Sequence, residues 1–199
     1  MRKNLTLEQT LPWILLIGGL IGVFCAAILT SEKIELLKNP HAQLICNINP
    51  IVACGSVINT WQASAFGFPN TYIGLAGFGG VAVIGAGIIA GARYKRWYWL
   101  GLQTGVTFAA CFITWLQFQT IFRIHALCPF CMVVWLVTIP IFIYTTIYNL
   151  RNKSIRFKKK YKPISEFIQR HHAEILISWY VIIFLVILGH FWYYWKTLF

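Results

Sequence analysis

Four cysteines form two closely spaced pairs, and their type and spacing could carry thiol–disulfide chemistry. Cys46 and Cys54 are separated by seven residues in a polar stretch, whereas Cys128 and Cys131 belong to a Cys-Pro-Phe-Cys sequence that opens a long apolar run. At the start of a helix, two thiols with this second spacing can close a disulfide, and unsatisfied amides together with the helix dipole stabilise the thiolate. Such a disulfide is suited to exchange.

Each pair alone also fits a static role. Cys46 and Cys54 enclose a loop with Asn and Pro turn residues and could form a structural disulfide. A single Cys-x-x-Cys also occurs as half of a zinc site. No second Cys-x-x-Cys is present, and His41 and His125 lack the spacing of metal ligands, so we expect no metal site.

The elements that must position these cysteines are membrane-spanning helices. Of the 199 residues, 58% are hydrophobic and 11% are charged. The core of a small soluble domain could not bury so many apolar residues. A spanning helix needs about 20 mainly apolar residues. The composition therefore predicts an all-α membrane protein. Five segments satisfy the length criterion: Leu11–Leu29, Asn70–Ala92, Trp97–Phe122, Leu127–Leu150 and Ile175–Trp195.

Details of the spans carry further expectations. Pro12 is expected in the first turn of the first span, where a helix tolerates proline. That span is too long for a cleavable signal peptide and is expected to remain in the protein. The glycine-rich second span suits close helix contacts. Cys25 and Cys111 lie within spans and are expected to pack as small hydrophobic side chains.

The net charge of +12 indicates topology rather than nucleic-acid binding. Thirteen of the seventeen basic residues fall on one side if the N-terminus is cytoplasmic. The positive-inside rule then places the 93–96 and 151–172 loops in the cytoplasm, and the 30–69 loop, the 123–126 turn and the C-terminus outside. The run 156–162 is expected to lie on anionic headgroups. Both cysteine pairs therefore face the same compartment. If the membrane is a bacterial plasma membrane, that compartment is oxidising, and disulfides persist there. Two such pairs can then pass electrons by disulfide exchange.

The cysteines and two further segments together resemble the vitamin K epoxide reductase family, and most closely its bacterial members. The resemblance covers about residues 11–150, and the joint spacing is more specific than any single motif. It rests on Cys46 followed after seven residues by Cys54-Gly55-Ser56-Val57, on Phe66-Gly67-Phe68-Pro69-Asn70 with Gly74 at the second span, and on Cys128-Pro129-Phe130-Cys131 at the fourth.

This resemblance implies a four-helix bundle around a quinone, to which the present chain adds a fifth helix. Residues 1–150 would form the catalytic domain with its outer loop at 30–69, followed by a basic cytoplasmic loop at 151–173 and the fifth transmembrane helix at 174–199. The quinone would be of the menaquinone, ubiquinone or vitamin K type.

The family pattern also implies a role for each of the four cysteines. Cys128 and Cys131 would be the redox-active pair, with Cys131 nearest the quinone. Cys54 would form a mixed disulfide with Cys128, and Cys46 would exchange with a protein partner. That partner would be a separate extracytoplasmic thioredoxin-like (DsbA-like) protein, because no such domain follows the fifth helix.

Two further residues would contact the quinone by the same resemblance. Asn70 would donate a hydrogen bond to a quinone carbonyl, although from the sequence alone it could equally be a helix N-cap after Pro69. Trp135 stands where vertebrate members have a tyrosine. The second hydrogen bond to the quinone is therefore either absent or donated by the indole.

Several functions stay open at this stage. The favoured one is a plasma-membrane thiol oxidase that forms disulfides in its partner and reduces the quinone pool. Vitamin K epoxide reduction of the vertebrate type is the alternative within the enzyme class. A membrane scaffold with structural disulfides is the non-enzymatic alternative, and the unrelated four-helix quinone-linked disulfide oxidases share the chemistry but differ in cysteine spacing.

Overall fold

The computed structural model describes residues 2–40, 42–47, 49, 51–155 and 162–196. His41 and the greater part of the basic run, at 156–161, lie outside the described residues. Within the described ranges all regular elements are helical. These are α1 (Arg2–Lys38), α2 (Cys54–Ile58), α3 (Asn70–Ile89), α4 (Arg96–Gln119), α5 (Pro129–Arg151), α6 (Lys162–Arg170), α7 (His172–His190) and α8 (Trp192–Trp195).

Five helices are long and apolar enough to cross a membrane, which confirms the five predicted spans and the all-α membrane class. They are α1 from Leu7, α3, α4 with its continuation to Ile124, α5 and α7. The continuation is a π-helical turn at Thr120–Ile124. Consequently the predicted turn at 123–126 begins later, at His125.

The first helix is longer than predicted at both ends. It begins at Arg2 and ends at Lys38, so the first nine residues of the predicted outer loop at 30–69 belong to the helix. The expected position of Pro12 in the first turn is wrong, because Pro12 lies inside the helix. Leu7 and Leu11 are both buried against other helices, and this packing stabilises the turns before the proline.

The close contact of α1 and α3 depends on small residues. A Cβ added at Gly85 would lie 2.5 Å from the backbone nitrogen of Leu16, and one added at Gly19 would lie 2.6 Å from the nitrogen of Ala82. Backbones this close leave no room for side chains, as in other helix pairs within membranes. The prediction that glycines of the second span serve helix contact is confirmed at Gly85.

The remaining helices complete the arrangement around α5. Helices α1 and α4 both pack against α5, and α7 contacts α5 and the π-helical turn from outside. The predicted fifth span, Ile175–Trp195, is interrupted, because the chain breaks its helix at Phe191 between α7 and α8. Phe191 is fully buried, and the break directs its side chain inward.

Candidate functional site

The loop after α1 is closed by a disulfide between Cys46 and Cys54. Asn47 supports this closure, since its Oδ1 accepts a hydrogen bond from the Gly55 amide at 3.0 Å. Asn49 Oδ1 likewise accepts from the amides of Ile51 and Val52. The Asn49 contacts are the Asx-type turn contacts that asparagine favours, whereas the Asn47 contact joins the two ends of the loop.

Backbone hydrogen bonds join this loop to the segment before α5. The Leu127 amide donates to the Ile51 carbonyl at 2.7 Å, and the Ala53 amide donates to the Leu127 carbonyl at 2.9 Å. Because Cys54 follows Ala53 and Cys128 follows Leu127, the pairing sets the two cysteines side by side. Their Sγ atoms are 3.1 Å apart.

Cys128 and Cys131 lie at the start of α5, as the sequence predicts. Cys128 is the N-cap residue and Pro129 is the first helical residue, where its missing amide costs nothing. Both cysteines are free thiols in this structure. The hydrogen bond from the Cys131 side chain lowers the pKa of the Cys128 thiol, and backbone amides assist against the opposing effect of burial.

Three of the four cysteines in the two pairs are shielded from solvent. Cys46, Cys54 and Cys128 are buried, and Cys131 is half-buried. The burial of Cys54 and Cys128 shields the contact between their sulfur atoms from solvent.

Beneath the cysteines, a cavity of about 820 Å³ opens between the spanning helices. Residues of α1, α3, α4 and α5 line it, and Cys131 is among them. Its walls are mostly apolar, and Asn70 and Gln62 contribute amide side chains to the lining. Gly77 and Gly80 also line it, and an added Cβ at either would meet nothing within 4 Å. This size and lining suit a flat, mainly apolar ligand.

Asn70 and Trp135 both line the cavity, together with Cys131. Asn70 is the first residue of α3, with Pro69 at the N-cap position, so its alternative role as the N-cap is wrong. Its Nδ2 donates to the Gln62 carbonyl at 2.6 Å, and its Oδ1 accepts from the Ala65 amide at 3.2 Å. Nδ2 keeps a second hydrogen. The quinone contacts implied for Asn70 and Trp135 stay predictions.

Gln62 is a cavity residue that the sequence analysis missed. It lies in a short 3-10 helix at Trp61–Ser64 and is buried, and its Nε2 contacts Gln119 Oε1 only at 3.5 Å. The sequence carries no signal for it. Neither its burial nor its position near residues 70 and 119 follows from a local pattern.

The two remaining cysteines differ. Cys25 is buried and packs as predicted, whereas Cys111 is exposed on the surface of α4, within the predicted span, and does not pack against another of the described helices. Helical position decides this, since consecutive residues of a helix are rotated by about 100° around its axis, and the neighbouring Ala110 is buried. Across the described residues, no three His, Cys, Asp or Glu side chains come together as metal ligands.

Comparison with known families agrees with this geometry. The sequence profile of the vitamin K epoxide reductase family matches residues 13–146. The chain therefore belongs to the vitamin K epoxide reductase family, and it is an oxidoreductase of a quinone-linked family. No individual curated protein gave a significant match. The matched segment contains both cysteine pairs and the cavity, and it ends before α7.

Proposed function

We propose that this protein is a membrane thiol oxidase that forms disulfides in an extracytoplasmic thioredoxin-fold partner and passes the electrons to a quinone. The observation that carries the proposal is the 3.1 Å separation of Cys54 Sγ and Cys128 Sγ, above a cavity lined by Cys131. At this distance an exchange between the two pairs requires no rearrangement of the backbone.

The outer pair receives electrons first. A partner thiolate attacks Cys46, the mixed disulfide is resolved by the partner's second thiol, and the partner leaves as a disulfide. Cys46 and Cys54 are now thiols and hold two electrons and two protons. Thiol–disulfide exchange of this kind conserves electrons at every step.

The two electrons then pass to the inner pair. Cys54 thiolate attacks Cys128 of a Cys128–Cys131 disulfide and displaces Cys131 thiolate. Cys46 next attacks Cys54, restores the outer disulfide and displaces Cys128. The lowered pKa of Cys128 favours this last displacement, because a less basic thiolate leaves faster. The product has an outer disulfide and two inner thiols, which is the cysteine state of the structure.

A quinone in the cavity would accept two electrons and two protons when the inner pair closes again to a disulfide. Asn70 would hold it through the free hydrogen of Nδ2, Trp135 would contact the ring, and Cys131 would face it. Gly77 and Gly80 leave the space that its ring and tail require. Burial of Cys54 and Cys128 shields the exchange between them from water.

The test is turnover by the purified protein in lipid, with a reduced thioredoxin-fold protein as donor and menaquinone or ubiquinone as acceptor. We expect one quinol for each partner disulfide, and loss of turnover in Cys54→Ser and Cys131→Ser. Cys111→Ser is the matched control, since Cys111 is exposed outside the relay, and it should turn over normally.

Two results would contradict the proposal. Normal turnover in Cys54→Ser would remove the relay. Absence of turnover in the wild type with every quinone, together with reduction of vitamin K epoxide, would assign the vertebrate-type activity instead. If neither reaction occurred, the cysteines would be structural.

A further inference from the structure

The outer end of the fifth helix is packed against the segments that carry the relay cysteines. Helix α7 has no buried residue along His172–His190, so it is peripheral for its whole length. Phe191, directly after it, is 0% exposed. Its side chain belongs to the same apolar cluster as Ile51 and Leu127, the two residues joined by the backbone hydrogen bond beside the cysteines.

A second contact lies next to the first. The rings of His190 and His125 are stacked, with centroids 5.0 Å apart and planes 10° from parallel, and His125 Nδ1 lies 2.9 Å from His190 Nε2. His125 has a φ of 56°, in the left-handed region that non-glycine residues rarely adopt. Such a conformation persists only where surrounding contacts hold it, and the His190 ring is one such contact.

His190 contacts His125 of the three-residue segment before Cys128 directly, and Phe191 belongs to the apolar cluster that includes Leu127 of the same segment. Leu127 in turn aligns Ala53, and therefore Cys54, by the hydrogen bond at 2.9 Å. A shift of this segment would change the distance between Cys54 and Cys128 directly.

We propose that His190 and Phe191 at the end of the fifth helix are positioning residues, which hold the 125–127 segment so that Cys128 stays within exchange distance of Cys54. This inference rests on the proposed relay. Neither residue lies in the segment matched by the family profile, which ends at residue 146.

A pre-steady-state experiment separates the exchange step from the quinone step. Protein reduced at all four relay cysteines is mixed with excess quinone in lipid, and quinol formation is followed. The first two electrons come from Cys128 and Cys131. The second two come from Cys46 and Cys54 and require exchange between Cys54 and Cys128. The wild type should therefore show two phases of equal amplitude.

We expect Phe191→Ala and His190→Ala to slow the second phase roughly 10- to 100-fold, as small misplacements of reacting groups do, and to leave the first phase unchanged. His190→Ala opens no core cavity and so remains informative if Phe191→Ala folds poorly. Phe191→Leu should restore most of the rate. Trp192→Ala is the matched control, because Trp192 is adjacent but 59% exposed.

Three outcomes would overturn the inference. Equal slowing of both phases would indicate general destabilisation, and an unchanged second phase in both alanine variants would show that the contacts do not position the cysteines. A wild type without a second phase would refute the relay itself, which separates failure of the proposed function from failure of this inference.

Discussion

At the scale of single residues, the account depends on the Cys128 thiolate and its hydrogen bond to Cys131. In Cys131→Ser, Cys128 can attack the Cys46–Cys54 disulfide and release Cys46 as a thiol. Serine retains a donor for the thiolate, whereas alanine does not. Since the side chain at 131 is the largest cause of the lowered pKa, removal of its donor should raise that pKa.

The expected result is a shift in the pH dependence of Cys46 release. Release should increase as pH rises through the pKa of Cys128, and the midpoint should lie at lower pH in Cys131→Ser than in Cys131→Ala. Acid quenching followed by maleimide labelling of Cys46 measures it. Coincident midpoints would show that the side chain at 131 does not stabilise the thiolate.

Asn70 gives a second prediction at this scale. Asn70→Ala removes two hydrogen bonds to the 62–65 segment as well as the proposed quinone donor. We expect a higher apparent KM for quinone and a loss of about 1–2 kcal/mol in stability, at about 1 kcal/mol for each hydrogen bond. Steady-state kinetics and thermal unfolding in detergent measure both. A variant destabilised to this extent with an unchanged KM would mean that Asn70 has only a structural role.

At the scale of elements, two glycines of α3 have opposite roles. Gly85 faces the backbone of α1, whereas Gly77 faces the cavity with open space beyond it. Gly85→Val should destabilise the protein by about 1–3 kcal/mol or more, as overpacking does. Gly77→Val should fold normally and raise the KM for quinone by narrowing the cavity.

Thermal unfolding and quinone kinetics of the two variants form a matched pair. If Gly77→Val lost stability and kept its KM, the cavity would not be the quinone site. If Gly85→Val unfolded like the wild type, α1 and α3 would not pack as described.

Elements with strong local signals were predictable, and those set by distant contacts were not. Composition and length identified all five spans, and the proline after Cys128 identified the start of α5. The extra turns of α1 before Pro12 depend on burial of Leu7 against other helices. The break before α8 accompanies burial of Phe191 in the cluster that includes Ile51 and Leu127, and no local sequence pattern indicates such long-range packing. Gln62 was not predicted for the same reason, because its place in the cavity depends on long-range packing.

At the scale of the whole molecule, the distribution of charge predicts the orientation. One feature of the fold supports the grouping of the basic loops, because Arg96 Nε donates to the Ser154 carbonyl at 2.9 Å. The 93–96 loop and the start of the 151–173 loop therefore lie at one end. The positive-inside rule predicts that this end faces the cytoplasm.

Single engineered cysteines in a protein lacking its native ones test this orientation. In intact spheroplasts, a membrane-impermeant maleimide should label Asn39→Cys, directly after α1, and should label Asn152→Cys only after permeabilisation. The reverse pattern would invert the topology and place the cysteine pairs in the cytoplasm.

Disulfide mapping of Cys46→Ser tests the proposed exchange between Cys54 and Cys128. Without Cys46, the outer thiol Cys54 can attack an oxidised inner pair but cannot be released from it. Fully reduced protein is treated with quinone, quenched in acid and mapped by mass spectrometry. The account predicts accumulation of a Cys54–Cys128 disulfide with Cys131 as a free thiol. A Cys128–Cys131 disulfide with Cys54 left entirely as a thiol would contradict it.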